Sequence, residues 1–186
     1  MCSIVPVLDV ASGRGDGGVT VSTKYEENDV PQESRQSPPT GTIELRPVVE
    51  SDLLLFYEHQ LDPEASHMAA FKPRDHDAFM VHWRKIMGDD ACIVRTILVE
   101  GEVAGNVVSW EDAGVREVGY WIDKPFWGKG IATRALALYL ELVPLRPLHA
   151  HVAAHNVGSI RVLEKCGFEI SDRHTNDAEG VDLTLD

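Results

Sequence analysis

Residues 117–137, EVGYWIDKPFWGKGIATRALA, restrict the folds open to this chain more than any other stretch. An alternating segment suited to a strand meets a proline-marked break, a Gly-x-Gly turn and then a helical pattern. The first N–H groups of a helix have no acceptor within it and lie at the positive end of its dipole. A phosphate or pyrophosphate is the ligand that such an end accommodates. Two familiar phosphate-binding patterns nevertheless fail. Gly-x-Gly-x-x-Gly requires a glycine where Thr133 stands, and the P-loop requires a spacing and a Gly-Lys-Ser/Thr ending that Gly128 and Gly130 lack.

The surrounding chain supplies an α/β framework for this stretch. TIELRP at 42–47 alternates polar and apolar residues as a short strand does, with Pro47 ending it. SDLLLFYEHQ at 51–60 reads as a helix with Asp52 in its first turn, where the dipole favours a carboxylate. Asp62 and Pro63 open a second short helix. Residues 75–87 form a clearer one: Asp75 caps it, Gly88 follows it, and Phe79, Trp83, Ile86 and Met87 share a face. Segments 91–99, 103–110 and 115–123 are three strands joined by short turns, an antiparallel meander. The helix at 131–143, stopped by Pro144, is expected to bury Ile131, Ala135, Leu138, Tyr139 and Leu142. A strand at 148–153, a helix at 156–166 between Asn156 and Gly167, and a strand pair at 168–171 and 181–185 complete the order.

That order implies one α/β domain over 41–186, with a mixed central sheet of about six or seven strands flanked by about four or five helices. Residues 1–40, rich in Gly, Ser, Pro, Thr and acidic residues, hold no sustained period and read as a disordered tail, with only a faint strand signal at 19–21. A chain of 186 residues can bury a core without disulfides or metals. Its three cysteines lack a paired spacing, which points to a reducing compartment and free thiols. Cys92 and Cys166, flanked by apolar residues, read as buried and inert rather than nucleophilic. A formal charge of −13 argues against a nucleic-acid binder that works by neutralising phosphates. No apolar run approaches the roughly 18 residues that cross a bilayer. The N-terminus lacks a basic region and carries Asp9, so neither a signal peptide nor a membrane partner is expected, and the cytoplasm is the expected location.

WGKGIAT at 127–133 is followed by NVGS at 156–159 and KCGF at 165–168. With these motifs the chain resembles the GNAT superfamily of acyl-coenzyme A-dependent N-acyltransferases, and most of all its branch of Rim-type ribosomal-protein N-acetyltransferases. The likeness covers about residues 42–186 and implies the GNAT fold. The superfamily's pyrophosphate loop is written Gln/Arg-x-x-Gly-x-Gly/Ala; here Trp127 takes the first position, Gly130 the fourth and Ala132 the sixth. The tryptophan removes one polar contact and leaves the backbone cradle intact. The resemblance implies that N–H groups of Gly128, Lys129, Gly130, Ile131, Ala132 and Thr133 hold the pyrophosphate of acetyl-CoA, with Ile122 pairing to the pantetheine arm. Asn156 would contact the pantetheine, and Ser159 would lie near the thioester sulfur. Plain N-capping accounts for the same pair. Many members place a tyrosine four residues after Ser159 to protonate the leaving thiolate; Leu163 stands there, so Ser159 becomes the candidate acid.

Alternation puts Glu117, Gly119 and Trp121 on one face of their strand. A carboxylate at Glu117 resembles the acid that many members use to take the amine's proton through water, although a solvated strand carboxylate would look the same. His149, His151 and His155 sit close in sequence, but no Cys or acidic residue at ligand spacing joins them, so no metal is expected. They read instead as a polar face near the acceptor cleft, with His151 a reserve base, and His82 as a surface residue. The acceptor is expected against 67–72, with Phe71 and Trp121 as walls. The reaction implied is direct acetyl transfer to a primary amine, on a peptide N-terminus or a small molecule, with a backbone donor near Ile122 for the oxyanion. A CoA-binding module without turnover, or a transferase of another acyl group, carries the same motifs. Either a monomer or a homodimer fits.

Overall fold

A computed structural model describes residues 41–174 and 180–186. The tail expected over 1–40, the faint strand expected at 19–21 and residues 175–179 lie outside the described residues. The chain runs β1 (Ile43–Arg46), α1 (Asp52–Gln60), α2 (Pro63–Met68), α3 (His76–Met87), β2 (Ile93–Val99), β3 (Glu102–Asp112) and β4 (Val115–Ile122). A single 3-10 turn (Lys124–Phe126) leads to α4 (Ile131–Leu142), β5 (Leu148–Ala153), α5 (Val157–Lys165), β6 (Glu169–His174) and β7 (Gly180–Leu185). The strands form one mixed seven-stranded sheet in the order β1-β2-β3-β4-β5-β7-β6. Only β4 and β5 are parallel neighbours, joined through α4 as a β-α-β unit.

Each face of the sheet carries its own apolar layer. Ile97, Val107, Tyr120 and Ile122 pack with Leu136 and Tyr139 of α4 and Leu163 of α5. On the opposite face Val108 and Trp110 meet Phe56 of α1 and Phe79, Trp83 and Ile86 of α3. The split agrees with alternation along β4, because Glu117 and Trp121 pair with Trp110 and Asn106, on the α1 side. Helix α3 follows its sequence pattern closely. Asp75 accepts the Ala78 N–H at 2.8 Å, and Phe79, Trp83 and Ile86 are buried.

Helix α4 differs from expectation. Leu138 and Leu142 are 39% and 50% exposed, and the buried face is Ile131, Ala132, Ala135, Leu136 and Tyr139. Its sequence, IATRALALYLEL, is apolar nearly all round, so spacing alone left the rotation of the helix open. Tyr139 decides it: the ring is fully buried, with Oη 2.7 Å from Ile93 O and 2.8 Å from Ser109 Oγ. Burial pushes that hydroxyl up to about 12, so it stays protonated.

Asp52 does more than favour a dipole. Burial raises its carboxyl, but Arg46 (2.6 and 2.7 Å), Thr96 Oγ1 (2.7 Å) and the Val49 N–H (3.0 Å) outweigh this and hold it below the usual range. It thereby ties α1 to β1 and β2. Cys92 and Cys166 are half-buried rather than buried. Burial pushes the Cys166 thiol up to about 11, the wrong direction for a nucleophile. His82 is half-buried too, not a surface residue; burial, Arg74 and Lys85 push it down to about 4.

Candidate active site

Strands β4 and β5 are laddered at one pair, Glu117 with His149, and no further pair joins them toward Ile122. Two helices start beyond the ends of these strands, α4 after β4 and α5 after β5. Both N-termini therefore lie at the C-terminal side of a parallel strand pair, the side where α/β sheets place ligands.

The approach to α4 holds the residues expected to form the pyrophosphate cradle. Gly128 and Gly130 hold φ of 69° and 71°, left-handed values that an L side chain rarely adopts. A Cβ at Gly128 would meet nothing within 4 Å, so within the protein the glycine serves backbone conformation rather than close packing. The first bond of α4 runs from the Arg134 N–H to Gly130 O at 3.2 Å. The N–H groups of Gly130, Ile131, Ala132 and Thr133 precede that bond, as four donors of a helix start do. Lys129 is exposed beside them, its Nζ 5.8 Å from the Phe126 ring centre.

The end of β4 supplies a directed backbone group. Asp123 donates its N–H to Ala104 O at 2.8 Å, and Gly105 stands opposite Ile122. In an antiparallel ladder these roles alternate, so the Trp121 carbonyl faces β3 while the N–H and C=O of Ile122 turn toward the gap. The Trp127 indole N–H donates to that Ile122 carbonyl at 2.7 Å. The tryptophan at the loop's first position thus makes a polar contact after all, to the strand. Of the Ile122 backbone groups, the N–H is the one left for the pantetheine or an oxyanion. Gly105 is required by this arrangement, since a Cβ there would lie 1.9 Å from Trp121 O.

At the start of α5, Asn156 and Ser159 are both fully buried. Asn156 Oδ1 caps the Ser159 N–H at 3.1 Å, and its Nδ2 donates to Met68 O at 3.2 Å. His155 Nε2 lies 2.9 Å from His67 O, and the two imidazoles stack at 4.9 Å. These contacts staple the end of α2 to the β5–α5 turn, so His155 sits with His67 rather than with His149 and His151. Leu163 is in the core, consistent with a position that offers no acid.

The region where the sequence places the acceptor is apolar. Trp121 packs with Ala65 of α2 and Ala69 just after it, against Met68, Phe71 and Trp127. Phe71 meets Trp121 edge-on at 6.2 Å, with Arg74 5.2 Å above its ring. Trp121 Nε1 is buried and has no acceptor among the described residues. Lys124 bonds Glu64 at 2.6 Å and Asp62 at 3.4 Å, tying α2 to the turn before the cradle. His59 of α1, buried, stands 3.5 Å from Asp123. Burial lowers its pKa, against the opposing pull of Asp123 and Glu58. His59 has no local sequence signal, because its approach to Asp123 depends on α1 meeting the turn after β4, and the Trp127 bond, only five residues from Ile122, depends on how the turn orients the indole; Gly105 inside a strand pattern was the one visible mark.

Glu117 is half-buried. Burial, then Asp112 and Asp182, raise its pKa, while His151 and His149 pull it down. His151 Nδ1 lies 2.6 Å from Asp182 Oδ1, and His149 Nδ1 3.1 Å from Thr184 Oγ1. Among the described residues no three His, Cys, Asp or Glu groups converge as metal ligands, and no helix is long and apolar enough to cross a membrane.

A parted parallel strand pair with two helix N-termini around the opening defines an α/β protein with a candidate ligand site at the ends of β4 and β5. The Acetyltransferase (GNAT) domain matches residues 42–169. The chain belongs to that family, the GNAT acetyltransferases. The probable N-acetyltransferase YjcK of Bacillus subtilis (strain 168) is 44% identical over 55 residues, a match spanning 27% of this chain and 30% of that protein. The spermidine N-acetyltransferase of Vibrio cholerae, solved with CoA and spermine, superposes with a TM-score of 0.69 at 18% identity, over 77% of this chain and 94% of its own. Mycobacterium smegmatis RimJ, in complex with CoA-disulfide, gives 0.63 at 22% identity, over 79% and 83%. At such identities the two structures show the shared fold.

Proposed function

We propose that this chain transfers the acetyl group of acetyl-CoA directly to a primary amine, on a peptide N-terminus or a small molecule, and that it falls in the Rim-type branch. The observation that carries this reading is the opening between β4 and β5 beside the single Glu117–His149 pair, with the Ile122 N–H directed into it. Acetyl-CoA would supply the activated thioester carbonyl. Gly128 to Thr133 would hold its pyrophosphate through left-handed glycines and the start of α4. Ile122 N–H would stabilise the oxyanion, a role in which one donor is worth about 10²–10³ in rate. Glu117 would take the amine's proton through water; its raised pKa suits a base better than an ordinary carboxylate does. No protein nucleophile is needed.

The cost of deprotonating the acceptor separates substrates. A Lys-like amine near pKa 10.4 costs about 4–5 kcal/mol at neutral pH, an α-amine near 7.8 only about 1 kcal/mol. Thiol release from acetyl-CoA, measured with amines of graded pKa, tests this. Turnover is expected with α-amino acceptors above their ε-amino counterparts, and a reversed order refutes the assignment. One observation supports a second reading, a CoA-binding module without turnover: Ser159 is fully buried and Leu163 offers no acid. Binding of CoA with no thiol release on any amine would establish it.

A further inference from the structure

Strand β4 runs from Val115 to Ile122, and at its first residues, the end away from the pyrophosphate cradle, lies a cavity of about 500 Å³. Its walls include Arg116, Arg146, Glu111, His149, Val115 and Leu145. The volume is that of a small-molecule site. In a chain of net charge −13, two guanidinium groups sharing one cavity run against the overall field.

Neither arginine is spent on a strong ion pair. Arg116, 17% exposed, reaches Glu111 Oε2 only at 3.3 Å and Ala91 O at 3.4 Å. Arg146 uses one nitrogen, Nη1, on Val143 O at 2.9 Å and Leu145 O at 2.7 Å. Among the described residues its Nε and Nη2 have no acceptor. Glu111 is 54% exposed and offsets one of the two charges, so the cavity keeps a positive excess. Val115 and Leu145, 41% and 47% exposed, give the same cavity an apolar side. Guanidinium pairs of this kind match the planar oxygens of carboxylate and phosphate.

We propose that this cavity binds a small organic anion, a carboxylate or phosphate monoester carrying an apolar group. Arg146 and Arg116 hold the charged end, and Val115 and Leu145 cover the apolar end. His149 lines the cavity and is also the strand partner of Glu117, so an occupant would be felt at that carboxylate. This coupling rests on the function proposed above, whereas binding is read without turnover.

The test titrates the whole protein with phenyl phosphate and 3-phenylpropionate, following the His149 imidazole signals by NMR, assigned with His149→Gln. Both anions are expected to give saturable shifts, with 3-phenylpropionamide silent and inorganic phosphate weaker. Arg146→Gln, an exposed loop change, should raise the midpoint about tenfold or more, the loss of a charge-assisted hydrogen bond. Leu145→Asp should weaken both probes while leaving CoA binding intact. The site is refuted if the amide binds as well as the acid, if inorganic phosphate binds as tightly as phenyl phosphate, or if neither variant moves the midpoint. Displacement of the probes by CoA would refute it too, because the anions would then sit in the pyrophosphate cradle.

Discussion

Gly105→Ala tests the link between the sheet and the proposed oxyanion donor. The added Cβ would lie 1.9 Å from Trp121 O and 3.1 Å from Ile122 Cα, both backbone atoms. To reach even 3.0 Å, the Trp121 carbonyl must retreat by about 1.1 Å. The peptide unit is planar, so the carbonyl of Trp121 and the N–H of Ile122 move together. A displacement of that size at a reacting centre costs about 10²-fold, and complete loss of an oxyanion donor about 10²–10³. The strain should also destabilise the fold by about 1–3 kcal/mol. Steady-state kinetics of thiol release, beside calorimetric unfolding, separate the two effects. Expected are a kcat lowered about a hundredfold, a near-normal affinity for CoA, and a lowered Tm. A variant with kcat within twofold of wild type would refute the placement of the donor.

Glu117→Gln removes a carboxylate whose folded pKa is raised, mainly by burial. Such a group penalises the folded state increasingly as pH rises from the ordinary carboxylate value through the raised one. The variant should therefore unfold at a higher Tm than wild type at pH 7 while losing about 10²–10⁴ in kcat/KM together with the acidic limb of the pH profile; a fall in both Tm and activity would point to a structural role. Trp127→Phe keeps a ring but deletes the bond to Ile122 O, and a KM for acetyl-CoA or a kcat changed about tenfold is expected, read by initial rates. Asp52→Asn should lower stability by about 1–3 kcal/mol at pH 7, a figure discounted because Arg46 is a third exposed. The sign follows from a depressed carboxyl: its contribution is present above the unfolded pKa and is lost as pH falls through the folded one, so denaturant curves of the two proteins should converge in acid.

Local rules reached far in this chain because its elements announce themselves. Caps at Asp75 and Asn156 and alternation along β4 placed helices and strands, and the Gly128–Gly130 turn falls at the start of α4 as its sequence suggests. Rotation of α4 was not legible, since Leu138 and Leu142 are as apolar as the residues that pack. Cross-chain geometry was equally hidden. The Asn156 side chain, expected at the pantetheine, is engaged with Ser159 and Met68, and the carbonyl of Ile122 is engaged by Trp127. Only the Asn156–Met68 bond joins segments far apart in sequence, which periodicity cannot reach; the Asn156 cap and the Trp127 bond are close in sequence and are set by how the side chains turn.

Intact mass of both partners, after incubating the protein with acetyl-CoA and a peptide bearing a free N-terminus, tests direct transfer most plainly. The expected result is a peptide heavier by one acetyl group at its α-amine, with the protein's own mass unchanged throughout turnover. An acetyl group retained on the protein at Cys92 or Cys166, or CoA bound with no acceptor ever modified, would contradict it.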